Sequence, residues 1–168
     1  MLWCIISASM TGQRGIDFVR NKLKGTIAEI IFQYMFQEDG FATVLPFGYE
    51  KTQPILAQYQ HVIETAEALA HIRDAPDFIL VRPDNRDIVL VDVKYRHQRD
   101  PEQVHRIVST MLLHWETAWL FLATRDGFYF GPCEAVAKDR GEIAPLREQW
   151  IPRGRQEAYL TLLRQFIS

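Results

Sequence analysis

The chain has 168 residues, of which 48% are hydrophobic and 24% are charged, and its formal net charge is −2. That length suits one hydrophobic core and leaves little room for a second, and the apolar fraction excludes a generally disordered chain. No apolar run reaches the roughly 18 residues that a membrane-spanning helix needs, so we expect a protein that does not enter the membrane.

The ends and the cysteines indicate a cytoplasmic protein. Met1–Ala8 is apolar but short, without a basic start or a cleavage signal, so a secretory peptide is not expected, and Met10 is an alternative start. Cys4 and Cys133 lie far apart and form no CxxC or Cys/His cluster, which predicts free thiols in a reducing compartment.

The pattern of apolar residues predicts helices and strands in alternation. The predicted helices are Gly15–Gln37, Gln58–Ile72, Pro101–Trp115 and Arg155–Ile167. The predicted strands are Phe41–Phe47, Phe78–Val81, Ile88–Tyr95, Ala118–Ala123 and Phe128–Phe130. Asp39-Gly40 is expected to end the first helix, and Arg82–Arg86 is a turn by composition. The order predicts a single α/β domain over residues 1–168, with a central mixed sheet flanked by helices.

Asp92 and Lys94 are charged residues in the strand with the clearest pattern. Side chains alternate across a strand, so both share a face with Ile88 and Leu90, and the residues between them face the other way. Apolar residues on both faces predict a central strand that is covered on both sides. A buried carboxylate and ammonium need partners or a metal. Taken alone, the pair is more often a local ion pair than a site.

Asp77 changes this balance, because it precedes the neighbouring strand. Reflecting the chain about Asn85, in the predicted turn, pairs Asp77 with Val93, between Asp92 and Lys94. Two carboxylates that close repel each other unless a cation binds between them or one stays protonated. Hard oxygen ligands of this kind suit Mg²⁺ or Mn²⁺.

Pro76-Asp77 followed by Asp92-Val93-Lys94 resembles the PD-(D/E)XK signature of the restriction endonuclease-like nucleases. That superfamily has an αβββαβ core, and the predicted elements follow the same order if residues 51–72 form a helical insertion and Phe128–Phe130 an extra strand. The segment Lys24–Glu29 (KGTIAE) is similar to the Gly…Glu segment in the first helix of archaeal-type Holliday junction resolvases.

The resemblance implies a metal-dependent DNA nuclease, more specifically an endonuclease. Asp77 and Asp92 would bind Mg²⁺, for which Mn²⁺ would substitute, with Glu29 and the backbone carbonyl of Val93 completing the site. Lys94 would orient the attacking water or stabilise the developing negative charge. Judged from the sequence alone, Glu29 belongs to a polar helical stripe that could equally face water, and only the resemblance assigns it to the site.

The sequence leaves the partners and two alternative functions open. Arg96, Arg99 and Arg106 would contact DNA phosphates or, equally well, form a solvated helix start. The resemblance makes a homodimer plausible, through the Ala118–Phe130 hairpin or the last helix. One alternative is a domain of the same fold that binds nucleic acid or protein without cutting, for which the pI of about 6.2 leaves room. The other is an unrelated α/β domain whose charged residues form a coincidental ion-pair cluster.

Overall fold

The computed structural model describes residues 2–48, 75–82 and 87–167, with the backbone alone for residues 2–14 and Asp39. Within these ranges the helices are α1 (Leu2–Gln37), α2 (Pro101–Leu112), α3 (Cys133–Lys138) and α4 (Arg153–Ile167). The strands are β1 (Thr43–Pro46), β2 (Phe78–Arg82), β3 (Asp87–Tyr95), β4 (Ala118–Ala123) and β5 (Phe128–Pro132). The predicted helix Gln58–Ile72 and most of the predicted turn fall outside the described residues.

The described strands form one mixed sheet in the order β1-β2-β3-β4-β5. β3 lies in the middle, antiparallel to β2 and parallel to β4, while β1 and β5 pair antiparallel with their neighbours. The predicted α/β class and central mixed sheet are therefore confirmed. Because β3 ends where the parallel strand β4 also ends, the carboxyl end of β3 opens towards the connections that follow both strands.

Helices cover both faces of the sheet. On one face, α1 and α4 pack on apolar residues of the central strands, and the core there includes Phe32, Phe36, Phe78 and Phe121. On the other face, α2 and α3 pack on a second cluster, which includes Leu120 of β4. Burying each of these large side chains contributes about 1.5–3 kcal/mol relative to leaving it exposed.

Helix ends follow local chemistry. The Asp100 side chain caps α2 by accepting hydrogen bonds from the backbone N–H groups of Glu102 and Gln103, and Pro101 fits the first turn because its missing N–H is not needed there. Gly40 has φ 67, a left-handed conformation that glycine adopts readily, and it closes the turn after α1 as predicted.

The structure differs from the predicted elements at several bounds: β1 is shorter than Phe41–Phe47, β5 runs on to Pro132, and α4 begins at Arg153 rather than Arg155. The larger differences concern the ends of two helices, one short helix and one exposed strand residue. α1 begins at Leu2 rather than Gly15, with no proline to interrupt it, and α2 ends at Leu112, before Trp115. The short helix α3 was not predicted. The prediction that β3 is covered along both faces is wrong at Ile88, which is 70% exposed and lies before Leu90, the first residue of β3 that pairs with β4. No helix in the described ranges is long and apolar enough to span a membrane.

Candidate active site at the end of β3

The hairpin of β2 and β3 brings Asp77 to the end of β3. Phe78 pairs with Val91 and Arg82 with Asp87, so the register differs by one residue from the one predicted about Asn85. The Asp77 carboxylate nevertheless reaches the predicted position, because its Oδ2 accepts a hydrogen bond of 2.8 Å from the backbone N–H of Val93.

Lys94 joins the two carboxylates into one cluster. Its Nζ donates a hydrogen bond to Asp92 Oδ1 at 2.7 Å and lies 3.9 Å from Asp77 Oδ2. The carbonyl oxygen of Val93 is 3.4 Å from the same Nζ. Two carboxylates and one carbonyl therefore surround one ammonium, as expected if Asp92 and Lys94 share a face of the strand.

Asp92 is held in a costly environment. Asp92 is only 3% exposed. Its Oδ2 is buried and accepts no hydrogen bond from the part of the chain that the structure describes. Burial raises the pKa of Asp92 to about 6; the charge of Lys94 opposes this shift and the carboxylate of Asp77 adds to it. Burial alone would lower the pKa of Lys94, but the charges of Asp92 and Asp77 outweigh it and raise that pKa above its ordinary value.

A cavity of about 410 Å³ opens over this cluster. The sheet side supplies Asp77, Asp92 and Lys94, and α2 forms the facing wall. The lining residues of α2 lie at helical spacing and share one side of it: Arg106, Ile107, Thr110 and Met111. The cavity therefore has charged groups at its base and a mixed polar and apolar wall opposite them.

The three predicted phosphate-binding arginines have different surroundings. Arg106 lines the cavity. Arg99 forms an ion pair of 3.1 Å with Glu142 and lies over the ring of Tyr129, and Arg96 donates a hydrogen bond of 2.7 Å to the carbonyl of Tyr95. Of the three, the structure thus brings Arg106 to the cluster.

Glu29 is half-buried on α1 and is not among the described residues that line the cavity. α1 packs on the face of the sheet that carries Val91 and Val93, whereas α2 covers the other face. A role for Glu29 in the site would need its side chain to reach around the end of β3, and it stays a prediction.

The oxygen atoms of the cluster fit a small divalent cation. Within the described ranges no group of three or more His, Cys, Asp or Glu residues could hold a metal ion, so the protein ligands reduce to two carboxylates and a carbonyl. Mg²⁺ is commonly bound through one or two carboxylates, with water and substrate oxygens filling its other positions. The bare Oδ2 of Asp92, the Asp77 carboxylate and the Val93 carbonyl match that donor set.

Thr110, Ile107 and Met111 were missed in the sequence. The signal was present, because Thr110 follows Arg106 by four residues and Met111 follows Ile107 by four, but nothing in the sequence orients that side of α2 towards Asp92. Cys133 was also missed as a neighbour of the site: burial raises the pKa of its thiol to about 12, and the charges of Asp92 and Lys94 act on it as well.

Comparison with models of known protein families, with curated proteins and with solved structures gives no match for this chain.

Proposed function

We propose that the protein is a metal-dependent nuclease that hydrolyses phosphodiester bonds within DNA and has a restriction endonuclease-like core. The observation that carries this proposal is the convergence of Asp77, Asp92 and Lys94 under one open cavity, in the chain order of the PD-(D/E)XK signature. A buried carboxylate with a raised pKa beside a lysine in a cleft is typical of functional sites.

Asp77, Asp92 and the Val93 carbonyl would hold Mg²⁺ or Mn²⁺, and the resemblance adds Glu29. When bound, such an ion supplies Lewis acidity to a phosphodiester and to water. The Val93 N–H fixes the Asp77 carboxylate, so this ligand is already oriented before anything binds.

Lys94 acts as a fixed positive charge. In the metal-free protein the charges of Asp92 and Asp77 raise its pKa and keep the ammonium protonated at neutral pH. In the site it would orient the attacking water or stabilise the developing negative charge. Its hydrogen bond to Asp92 places the charge at the base of the cavity, where the phosphate would lie. Ile107 and Met111 form the apolar part of the opposite wall.

Cleavage of supercoiled plasmid tests the proposal. The native chain with about 5 mM Mg²⁺ or Mn²⁺, enough to load a weak carboxylate site, should nick or linearise the plasmid, and chelator should stop it. Asp77→Ala, Asp92→Asn and Lys94→Ala should each lower the rate by about 100-fold or more. Asp87→Asn is the matched control, because Asp87 is an exposed aspartate at the other end of β3. Native-like rates in the three site variants would contradict the assignment.

A domain that binds without cutting is the second candidate. The 2.7 Å pair between Lys94 and Asp92 favours it, because this pair neutralises the buried carboxylate without a metal. Calorimetric titration with Mn²⁺ separates the two candidates. Binding that Asp92→Asn abolishes supports the nuclease, whereas no binding, together with no cutting of plasmid, branched or single-stranded DNA, supports the second candidate.

A further inference from the structure

Arg106 borders two cavities. On one side it lines the cavity over Asp77 and Asp92. On the other side it lines a shallow cavity of about 600 Å³ together with Glu102, His105 and Arg140. A ligand that lies over the carboxylates can therefore continue past Arg106 and across the first turns of α2.

The turn after α3 holds Arg140 beside α2. Arg140 and Gly141 both have positive φ, 54 and 90, and the N–H of Gly141 donates a hydrogen bond of 2.8 Å to the carbonyl of Val136. Gly141 packs so closely on α2 that a Cβ there would overlap the Pro101 carbonyl and lie 2.8 Å from the backbone nitrogen of His105. The backbone of Arg140 is thus fixed next to the second cavity.

An arginine in this conformation is unusual. The left-handed region is disfavoured for side chains with a Cβ, and glycine or asparagine is the common residue there. A conformation held against that preference is often found at functional positions. What arginine adds to this turn, relative to glycine or asparagine, is a long side chain with a guanidinium.

Arg106 and Arg140 also differ in their pairing from three other basic residues of this half of the chain. Arg99 pairs with Glu142, Lys138 with Glu134, and Arg153 with Glu157. Neither Arg106 nor Arg140 forms an ion pair with any residue of the described ranges. These two guanidiniums therefore remain available to an anionic ligand, against the single carboxylate of Glu102 in their cavity.

We propose that Arg106 and Arg140 form a phosphate track, which binds successive phosphates of a DNA strand next to the phosphodiester over Asp77 and Asp92. The track rests on the proposed function, because it takes the DNA strand from that site. A guanidinium can donate two parallel hydrogen bonds to one phosphate. Because each neutralised phosphate releases counterions, such contacts make the affinity for DNA depend on the salt concentration. Arg106 belongs to both cavities and fixes the point where the strand leaves the site, and Arg140 binds the next part of the backbone.

Substitution of Arg140 by asparagine tests the track without straining the turn, since asparagine tolerates positive φ. Binding of a fluorescent DNA oligonucleotide is measured by anisotropy in chelator, so that no cutting occurs. Arg140→Asn should weaken binding about 5- to 10-fold and lower the slope of log Kd against log salt by about 1, the value for one lost phosphate contact. Arg140→Lys should restore most of both. In the cleavage assay, Arg140→Asn should raise KM and leave kcat unchanged.

Lys138→Asn is the matched control, because it removes the same charge from the same part of the chain at a residue that lines neither cavity. Its binding and salt slope should equal those of the native chain. If Arg140→Asn has the thermal stability and the slope of log Kd against log salt of the native chain, the phosphate track is wrong. Plasmid cutting by the native chain would still support the nuclease in that case. DNA binding that depends on Arg140 without any cutting overturns the nuclease and keeps the track, and no DNA binding by the native chain overturns both.

Discussion

The buried carboxyl of Asp92 should make the stability of the folded protein depend on pH. A carboxyl whose pKa is raised to about 6 by burial binds its proton more tightly when folded than when unfolded. The unfolded group titrates near 3.9, so its contribution to stability is present below about pH 4 and is lost as the pH rises to about 6. One pKa unit corresponds to about 1.4 kcal/mol, which makes the loss on the order of 3 kcal/mol.

Denaturation of the metal-free protein by urea between pH 4 and 7.5 measures this loss. As the pH rises from 4 to 6, we expect the native chain to lose unfolding free energy relative to Asp92→Asn. Above pH 6 the difference between the two proteins should stay constant. Asp87→Asn, on the same strand but exposed, should run parallel to the native chain. Parallel curves for all three proteins would mean that Asp92 titrates normally.

Cys133 should be unreactive as long as the protein is folded. Its side chain is buried, and burial raises the pKa of its thiol to about 12, so almost no thiolate exists near neutral pH. In a Cys4→Ser background, which leaves one thiol, we expect an aromatic disulfide reagent at pH 8 to label the protein at the rate of unfolding. Denaturant should make labelling immediate, and fast labelling in native buffer would contradict this burial.

At the level of elements, the sequence predicts best the strands whose side chains are buried in the core. β4 was predicted with its observed bounds, and Phe78–Val81 differs from β2 by one residue, because their apolar runs follow from burial. α3 has six residues, which is too few for a periodic pattern, and the residues of α1 from Gly15 to Leu23 are exposed, so burial gives no signal there. The convergence of Asp77 and Lys94 could be predicted from the hairpin to within one residue. Which side of α2 faces the cavity could not, because the spacing of residues along α2 does not determine how the helix is oriented on the sheet.

The contact between the turn after α3 and the first turn of α2 should be sensitive to a single methyl group. Gly141→Ala would place a Cβ against the Pro101 carbonyl and force a side chain to φ 90, so we expect a loss of more than about 2 kcal/mol in unfolding free energy. Gly127→Ala is the control, because nothing lies within 4 Å of a Cβ there and no positive φ is involved. Equal unfolding free energies for the two variants, by urea denaturation, would show that the contact is looser than described.

For the molecule as a whole, the exposed apolar surface narrows the choice of a dimer interface. β4 of the Ala118–Phe130 hairpin is largely buried, and β5 is bonded on its outer side by the segment around Ala144 and Leu146, so this hairpin offers little surface to a partner. α4 exposes Leu162 and Phe166, which keeps the last helix as a candidate. α4 packs on α1, and α1 adds apolar surface of its own.

α1 extends beyond the sheet that it covers. Its 36 residues span about 54 Å, against about 30 Å for the longest strand. Every residue from Gly15 to Leu23 is exposed, including Phe18 at 69% and Leu23 at 57%. An isolated helix with apolar side chains in water is marginal, and an apolar surface of this kind typically belongs to an interface. We therefore expect the predicted homodimer to form through α1, with Phe166 of α4 at its border.

Light scattering coupled to gel filtration should give twice the 19.6 kDa of one chain for the native protein and 19.6 kDa for Leu23→Glu. Ile88→Glu is the matched control, because Ile88 is also exposed, at 70% against 57% for Leu23, but lies on the face of β3 that α1 does not cover. A monomeric native chain, or equal dissociation by both substitutions, would rule out this interface. Dimer formation would also affect cleavage, because a dimer carries two clusters of Asp77, Asp92 and Lys94, one for each strand of a duplex. If the proposed nuclease activity holds, the Leu23→Glu monomer should nick supercoiled plasmid where the native dimer linearises it.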